Sequence, residues 1–402
     1  MKPSLHGIRV LDLSRVLAGP WASQLLGDYG AEVVKIERPV SGDDTRHWGP
    51  PWLSGEAGES AYFLATNRNK RSVAIDLDSA DGQELVRQMA SRADIVIENF
   101  KPGSLARRGL DYESLSSANR GLVYCRISAY SSDSSLRNEP GYDAMIQASA
   151  GLMSLTGAPD SEGGKPQKVG VAITDIMAGM YAVTAILAAL HARTQSGVGQ
   201  LVEVPLFDSQ VAWLANQNLN YLISGKAPER LGNAHPNIVP YQDFRTADSY
   251  LMLAVGNDRQ FHRCLAAIGL DQHREDARFS TNKARVAHRE ELVRLLADTF
   301  IARTTADWLA ILRAAGVPSG PVNNLAQVFA SPYAQEQQLM RTLQHPDRDE
   351  LPTVANPVRF SATPVRYGSA PPLLGQHTDE VLQEWLGYSA DDILRAKQSG
   401  AV

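Results

Sequence analysis

The sequence predicts an α/β protein with a Rossmann-like large domain followed by a smaller α/β domain. Over residues 1–130, short apolar strands alternate with helices, which is typical of βαβ units and therefore of a parallel sheet. Beyond Pro228, shorter strands alternate with amphipathic helices, which indicates a second domain. A chain of 402 residues is long enough to bury the cores of both domains.

The strands of the first sheet are apolar runs, each followed by a turn or a helix. We predict them at residues 8–13, 32–36, 73–77, 95–100 and 122–127. The first helix begins at Pro20, which suits a first helical position, and ends at Gly30, which suits a C-terminal cap. Further helices are predicted over residues 80–92, 172–193 and 206–223. Ligands of such a sheet bind at the carboxyl ends of its strands, so we expect the site there.

The rest of the chain divides where its composition changes. We assign residues 1–225 to the large domain and residues 226–325 to the small domain. The small domain has a predicted strand at 251–255 and predicted helices near 258–269 and 289–300. Residues 326–402 are rich in proline and irregular, and such a segment does not fold alone. We therefore expect it to return to the large domain.

Composition argues against several functional classes. The net charge of −5 argues against a general nucleic-acid binder. The two cysteines, Cys125 and Cys264, are too few for a disulfide framework and belong to no metal-ligand motif. The first residues lack the apolar core of a signal peptide, and the longest apolar stretch, 176–190, is shorter than the ~20 residues of a spanning helix. We expect a soluble cytoplasmic enzyme that needs neither a metal nor a membrane.

The turn after the first strand argues against a nicotinamide cofactor. A dinucleotide site favours Gly-x-Gly-x-x-Gly at this turn, and only Gly19 is present. Three basic segments instead lie near the predicted strand ends, at residues 35–39, 67–71 and 101–108. Such clusters are usually solvated surface, but three of them at one sheet edge also suit a ligand with several phosphates. The amide and aromatic ring of residues 98–103 suit the adenine of the same ligand.

Asp175 is the candidate that carries chemistry. It stands where a long apolar helix begins, so it is either the N-cap of that helix or a nucleophile whose charge is set by burial and the helix dipole. The histidines are dispersed, and no Ser-His-Asp combination has a nucleophile elbow. The residues alone leave both roles of Asp175 open.

The motifs together resemble the class III CoA-transferases (CaiB/BaiF-like), the group of formyl-CoA transferase and carnitine CoA-transferase. The segments that carry the resemblance follow the family's order over essentially the whole chain: 7–14, 18–20, 26–39, 69–72, 98–100, 141–143 and the Asp175 helix. Within the family, segments at 42–51, 235–242, 256–261, 316–324 and 371–377 look most like the succinyl-CoA:glutarate branch, which includes succinate–hydroxymethylglutarate CoA-transferase. That branch moves CoA between short dicarboxylates.

The resemblance implies a fold, a mechanism and a site. It implies two interlocked subunits, each with a Rossmann-like domain and a small domain, and a CoA thioester as substrate with no permanently bound cofactor. It makes Asp175 the nucleophile, which forms aspartyl-anhydride and aspartyl-CoA intermediates. By motif position, the residues implied to bind CoA are Val16, Leu17, Arg38, Ile75, Asn99, Phe100 and Arg107.

Substrate residues follow from the same resemblance and from charge. Tyr142 and Asp143 match positions around the acyl group, and Gly256 and Asn257 form a loop that could supply oxyanion-binding N–H groups. A dicarboxylate needs a cation at its far end, for which Arg46 and Arg15 are candidates and His235 a weaker one. The alternative for Arg46 is a surface pair with Asp43 or Asp44.

Two departures from the family pattern bear on specificity. Residues 129–135 replace a Gly-Tyr-Gly-Gln-Thr-Gly-Pro loop of relatives, and Leu17 replaces the catalytic glutamine of formyl-CoA transferase. Two other functions remain as alternatives. An α-methylacyl-CoA racemase would carry a histidine base where Tyr142 stands. A non-catalytic CoA-binding protein would not need Asp175.

Overall fold

We describe the protein from a computed structural model covering residues 2–53, 55, 58–346 and 348–402. These residues form two compact units. The first contains the chain up to Leu152 together with Val169–Leu219 and Gln335–Val402, and the second contains Met153–Lys168 and Asn220–Ala334. Our predicted boundaries, 225/226 and 325/326, lie near two of these junctions. The sequence prediction has no counterpart for residues 153–168 in the second unit.

The first unit is built on a six-stranded sheet whose strands are all parallel. The strands are β1 (Arg9–Asp12), β2 (Glu32–Glu37), β3 (Lys70–Ala74), β4 (Ile95–Glu98), β5 (Val123–Ser128) and β6 (Leu201–Pro205). Their order is β3-β2-β1-β4-β5-β6, the doubly wound order of a Rossmann sheet. The predicted α/β fold class is therefore confirmed. The order reverses between β1 and β4, where such sheets bind their ligands.

Two strands differ from the sequence prediction. Strand β3 begins at Lys70 rather than at Val73, because the buried Lys70 and Ser72 lie inside it. Charged and polar residues in this strand had suggested a basic loop. Strand β6 has few buried positions and lies at the edge of the sheet, so its sequence lacks the apolar run of a central strand.

Helices cover both faces of this sheet. Those before Leu152 are α1 (Ala18–Asp28), α2 (Ala61–Leu64), α3 (Ala80–Ala90), α4 (Tyr112–Ala118) and α5 (Asp143–Ser149). They are followed by α6 (Leu152–Leu155), α7 (Ile173–Ser196), α8 (Leu206–Trp213) and α9 (Asn216–Ser224). Helices α1 and α7 pack with the inward side chains of one sheet face, and α3 and α4 pack on the other. A single predicted helix at 206–223 is two helices, because Ala215 adopts a left-handed φ of 50° between them.

Helix α7 is longer than the apolar stretch suggested. It has 24 residues and a mean hydropathy of 1.8 in its most apolar window, so its length and composition alone would allow it to cross a membrane. Its inward residues, such as Ala178, Ala182 and Ile186, are fully buried in the same core as α1. These contacts are those of a core helix in a globular unit.

The second unit is a small α/β structure. Its antiparallel sheet has the order β7 (Tyr241–Arg245), β8 (Tyr250–Ala254) and β9 (Ser319–Pro321). Its helices are α10 (Asp258–Ala267), α11 (Asn282–Ala287), α12 (Arg289–Phe300), α13 (Thr305–Ala314), α14 (Leu325–Ala330) and the start of α15 (Pro332–Glu336). Phe261, Leu296 and Leu312 bring α10, α12 and α13 into one apolar core with the sheet. This core forms without residues of the first unit.

The C-terminal segment lies in the first unit. It contains the hairpin of β10 (Met340–His345) and β11 (Arg348–Val354), then α16 (Thr378–Val381), a π-helical turn (Leu382–Leu386) and α17 (Ala390–Gln398). Trp385 is fully buried in the core on the α3 side of the sheet, and the N–H of Asp76 donates to the carbonyl of Ala401 at 2.9 Å. The sequence analysis did not predict the helices that make these contacts, because the prolines of this segment indicated an irregular structure.

Candidate active site

The two loops at the sheet reversal are joined by paired hydrogen bonds. The loop after β1 and the residue after β4 meet where Asn99 Oδ1 accepts from the N–H of Arg15 at 2.8 Å. Asn99 Nδ2 donates in turn to the carbonyl of Arg15 at 2.7 Å. The Arg15 guanidinium lies over the Phe100 ring, 5.1 Å from its centre. The structure thus brings together three residues that the sequence analysis assigned to ligand binding.

A cleft opens beside these loops. Three of the predicted CoA residues line it, namely Arg38, Ile75 and Phe100, together with Arg15. Arg38 is exposed, whereas Ile75 is fully buried at the cleft floor. A guanidinium and an apolar floor in one cleft suit a ligand with phosphates and a ring.

The two arginines of the basic turn beyond β4 occupy different positions relative to the cleft. Arg107, a predicted CoA residue, is exposed on the turn Ala106–Arg108 and does not line the cleft. Its neighbour Arg108 does line the cleft and pairs with Asp78. Sequence reasoning missed Arg108, although the paired arginines at 107 and 108 were the available signal.

The loop that enters α1 has unusual backbone geometry. Val16 has a φ of +70°, a conformation that β-branched residues rarely adopt. Leu17 is buried and stands at the N-terminal boundary of α1, where no side chain caps the helix. A Cβ on Gly19 would lie 2.2 Å from the Ser14 side chain, so only glycine allows the loop to fold this closely over the helix start. The predicted start at Pro20 is two residues late for this reason.

Asp175 is the third residue of α7, and its position decides one of the alternatives. The boundary residue of the helix is Ala172, and the acceptor for its first turn is Asp143, whose Oδ1 accepts from Thr174 N at 2.8 Å and Asp175 N at 3.4 Å. Across the described part of the chain, no N–H donates to the Asp175 carboxylate. The capping role therefore belongs to Asp143, and the carboxylate of Asp175 is available for chemistry.

The electrostatics of Asp175 favour a nucleophile. Burial, and secondarily the nearby Asp143 carboxylate, raise the pKa of Asp175 to about 7. A carboxyl group with that pKa is ionised in roughly half of the molecules at neutral pH, and its anion is more basic than an ordinary carboxylate. Gln147 fixes Asp143 by donating to its Oδ2 at 2.6 Å, so the second charge stays in place.

Helices α1 and α7 meet next to Asp175. A Cβ on Gly179 would lie 2.7 Å from the carbonyl oxygen of Ala18, which shows how closely α7 approaches the first turn of α1. Asp175 lies one turn earlier on the same face of α7. The carboxylate is therefore placed near the start of α1, whose first N–H groups have no partner within the helix.

Tyr62 lies within electrostatic reach of Asp175, and sequence reasoning did not single it out. Its pKa is raised to about 12 by burial and then by the negative charges of Asp175 and Asp143. Its ring packs edge-on against Trp48, with centres 5.3 Å apart. No sequence motif around residue 62 indicated such a position. The one available signal was Trp48, which lies in a segment that resembles the succinyl-CoA:glutarate branch.

Arg46 has different partners from those considered in the sequence analysis. Its side chain is buried and pairs with Glu37 at 2.7 Å and with Glu59 at 2.8 Å, and it lies 3.7 Å above the Phe63 ring. The expected surface pair with Asp43 or Asp44 is not the observed contact. These surroundings favour a structural role for Arg46 over binding of a substrate carboxylate.

The remaining candidates are not among the residues that line this cleft. Tyr142 is exposed at the start of α5, and His235, Gly256 and Asn257 belong to the second unit. Gly256 N already donates to Gln260 Oε1 at 2.8 Å, and Asn257 caps α10. This internal bond weakens the expectation that Gly256 supplies an oxyanion donor.

His235 is less suited to bind a carboxylate than its residue type suggested. Burial, with the nearby Arg289 charge, lowers its pKa, so the ring is neutral at physiological pH. Its Nδ1 accepts from Asn237 N at 3.0 Å.

The loop at residues 129–135 is held by a bond within the loop, from Ser131 Oγ to Asp133 Oδ1 at 2.6 Å, and by a bond to β6, from Ser132 Oγ to Glu203 at 3.0 Å. Within the described chain, no three His, Cys, Asp or Glu side chains group as metal ligands.

Comparison with known proteins agrees with these features. The profile of CoA-transferase family III matches residues 5–378. Succinate–glutarate CoA-transferase of Agrobacterium fabrum is 48% identical over 386 residues, covering 95% of this chain and 96% of that protein. Human succinyl-CoA:glutarate CoA-transferase is 40% identical over 402 residues, covering 100% of this chain and 90% of that protein.

A solved structure extends the agreement to three dimensions. The crystal structure of a CaiB/BaiF family protein from Brucella suis is 44% identical, with a TM-score of 0.85, and the match covers 96% of this chain and 100% of that one. The profile match, the full-length relatives and the shared fold point to one conclusion. The chain belongs to CoA-transferase family III and is a CoA-transferase that uses CoA thioesters as substrates.

Proposed function

We propose that this CoA-transferase moves CoA from succinyl-CoA to a short dicarboxylate, with glutarate as the favoured acceptor. The relatives from Agrobacterium fabrum and human carry succinate or succinyl-CoA and glutarate in their names and match nearly the full chain. 3-Hydroxymethylglutarate and itaconate fit the same arguments as acceptors. The single observation that carries the chemistry is Asp175, a carboxylate free of capping bonds whose pKa is raised to about 7.

The reaction proceeds through covalent intermediates on Asp175. Its carboxylate attacks the thioester carbonyl and expels CoA thiolate, which leaves a mixed aspartyl–succinyl anhydride. The thiolate attacks the aspartyl carbonyl, so succinate leaves and an aspartyl-CoA thioester forms. Glutarate attacks that thioester to give a second anhydride and free thiolate again. The thiolate then takes the glutaryl group and restores the carboxylate, so one thioester replaces another.

Each addition step places negative charge on a carbonyl oxygen, which needs hydrogen-bond donors. The start of α1 supplies them: the N–H groups of Ala18 and Gly19 have no partner within the helix, Pro20 has no N–H, and Leu17 offers no polar side chain. This source replaces the Gly256 N–H, which is bonded to Gln260. We assign CoA itself to the cleft of Arg38, Ile75 and Phe100, with the Val16–Leu17 backbone, Asn99 and Arg107 at its margins.

The far carboxylate of the acceptor is assigned to Arg15. The guanidinium is half-buried over Phe100, and among the described residues its one ion pair is with the exposed Asp44 at 3.3 Å. Arg15 Nε is buried and has no hydrogen-bond acceptor among the described residues. A buried donor without a partner is a site where a ligand oxygen would be stabilised. Arg46, by contrast, is already paired with two carboxylates, those of Glu37 and Glu59.

Two broader features complete the proposal. We assign the protein to the cytoplasm as an interlocked homodimer with no permanently bound cofactor. The support is the family resemblance and the full-length match to CoA-transferases.

An acceptor screen tests this function. With succinyl-CoA as donor, mass spectrometry should show glutaryl-CoA, and glutarate should exceed butyrate in kcat/KM by roughly ten- to a hundredfold, the value of a bidentate guanidinium contact. Arg15→Ala should shrink that ratio, and Arg120→Ala, which removes an exposed arginine elsewhere, should preserve it. Equal kcat/KM for the two acids in the wild type would refute the dicarboxylate assignment. Exchange of the α-proton of a 2-methylacyl-CoA in D₂O without CoA transfer would favour a racemase.

A further inference from the structure

A set of buried side chains outside the reaction itself holds the loop between β1 and α1. Lys35 Nζ donates to the carbonyl of Ser14 at 2.8 Å, and Asp43 accepts from Val16 N at 3.2 Å. Between these two contacts, Asn99 binds both the N–H and the carbonyl of Arg15. Successive backbone groups of the loop are thus fixed by side chains from three different segments.

Lys35 and Asp43 are themselves one unit. Their charged atoms lie 2.9 Å apart, and both side chains are 0% exposed. Asp43 also accepts from the N–H and hydroxyl of Thr45 at 3.0 and 2.8 Å. Burial alone would raise the pKa of Asp43, but the Lys35 charge and the Thr45 bonds outweigh it and lower that pKa to about 2. The pair therefore stays charged throughout the physiological range.

The contact to Val16 has a conformational consequence. Val16 has a φ of +70°, which a β-branched residue adopts only when its surroundings impose it. Asp43 is the acceptor of the Val16 N–H, and Lys35 holds the carbonyl of Ser14, one peptide group earlier in the loop. These are the groups whose orientation sets the path of the chain into α1.

We propose that Lys35 and Asp43 are positioning residues that hold Val16 in its left-handed conformation and thereby keep the CoA-binding loop preformed at the start of α1. This inference rests on the proposed function, because the loop binds CoA only if that function is correct. Neither side chain touches the reacting atoms in this account. A preformed loop lowers the apparent dissociation constant because the binding-competent state does not have to be selected from others.

The first test replaces Asp43 by asparagine in the full-length protein. The bonds from Thr45 keep Oδ1 in place, so the amide NH2 replaces Oδ2, to which Lys35 Nζ and Val16 N both donate. Val16 N then keeps only its longer bond to Oδ1, at 3.3 Å. We expect KM for succinyl-CoA to rise about tenfold with a much smaller change in kcat, the signature of a less populated competent loop. Amide hydrogen exchange of a peptide spanning residues 13–20 should become faster.

The matched control is Asp28→Asn. Asp28 is equally buried and pairs with Arg68 at 2.6 Å, but it lies at the other end of α1. We expect it to lower the unfolding midpoint without a selective rise in KM and without faster exchange at 13–20. If both variants change KM and exchange to the same extent, Asp43 acts through overall stability and the proposal is wrong.

A second variant distinguishes positioning from simple stabilisation. Glycine adopts positive φ without strain, so Val16→Gly should make the loop less dependent on Asp43. In that background, Asp43→Asn should raise KM by no more than about threefold. An undiminished effect of Asp43→Asn in the Val16→Gly background would overturn the role assigned to Val16.

A third variant guards against loss of folding. If Asp43→Asn is insoluble, Lys35→Met with Asp43→Leu removes both charges together, an exchange that buried pairs commonly tolerate. It still removes the acceptor for Val16, so the same change in exchange is expected, and unchanged exchange refutes the proposal. Because exchange is measured without substrate, a wild type that fails to transfer CoA would refute the proposed function separately.

Discussion

At the residue scale, the proposed function assigns the chemistry to Asp175. Its carboxylate caps nothing, so replacing it should affect rate far more than folding. We expect Asp175→Asn to lower turnover by several orders of magnitude, as loss of a covalent nucleophile commonly does, without lowering the unfolding midpoint. Steady-state kinetics and urea unfolding measure both. Asp81→Asn, in the exposed first turn of α3, is the control and should keep normal turnover. A variant retaining a tenth of wild-type turnover would contradict the assignment.

The raised pKa of Asp175 predicts the pH dependence of catalysis. Only the carboxylate attacks the thioester, so kcat/KM for the acyl-CoA should rise with pH and level off above an apparent pKa of about 7. Asp143→Asn removes the neighbouring negative charge and should move this limb to lower pH. A flat profile between pH 5 and 8 would show that another group or step limits the rate.

The same shift predicts a stability difference. The folded pKa of Asp175 lies above its unfolded value of 3.8, so the folded protein binds this proton more tightly, and ionisation destabilises the fold as pH rises towards 7. Asp175→Asn removes that penalty. Its free energy of unfolding relative to wild type should therefore be higher at pH 8 than at pH 5, measured by urea titration at both values. A difference that grows towards low pH would contradict the sign.

At the element scale, the close contact between α1 and α7 lies one helical turn from Asp175, the proposed nucleophile. A Cβ at residue 179 would lie 2.7 Å from the Ala18 carbonyl oxygen. Gly179→Ala should therefore push the helices apart, lower the free energy of unfolding by about 1–3 kcal/mol and reduce turnover. Gly170→Ala meets no atom within 4 Å and should leave that free energy almost unchanged. Equal effects of the two substitutions on unfolding would exclude the proposed overpacking.

Individual helices and strands also show which parts of the fold could be predicted from the local sequence pattern. The helix predicted at 289–300 is α12 with the same bounds, because its apolar residues recur with helical period and face one core. Strand β3 was displaced in the prediction because buried Lys70 looks like surface in the sequence. Its burial depends on Asp12, 3.2 Å away and 58 residues earlier in the chain. Local periodicity contains no information about such a partner.

At the scale of the whole molecule, the chain's last residues complete the core of the first unit. Trp385 is fully buried beside strands formed by the first hundred residues, and its Nε1 donates to Glu32 at 2.7 Å. Trp385→Ala should lower the free energy of unfolding by about 3–5 kcal/mol. Leu394→Ala, at a side chain 53% exposed in α17, should change it by about 0.5 kcal/mol or less. Chemical denaturation measures both, and similar losses would mean that the C-terminal segment is not part of this core.

The sequence by itself determined the α/β class, the alternation that produces a parallel sheet, the family and the position of Asp175. These follow from apolar periodicity and from motifs whose residues are close together in the chain. Which of the site residues act on substrate stays a prediction, although their contacts support some of these assignments and weaken others. Tertiary structure alone decided that Asp143 caps α7, that Arg46 pairs with Glu37 and Glu59, and that Asp43, paired with Lys35, accepts from the Val16 N–H. Burial and pairing of charges depend on the final distances between segments remote in sequence, and those distances exist only once the sheet and its helices have packed.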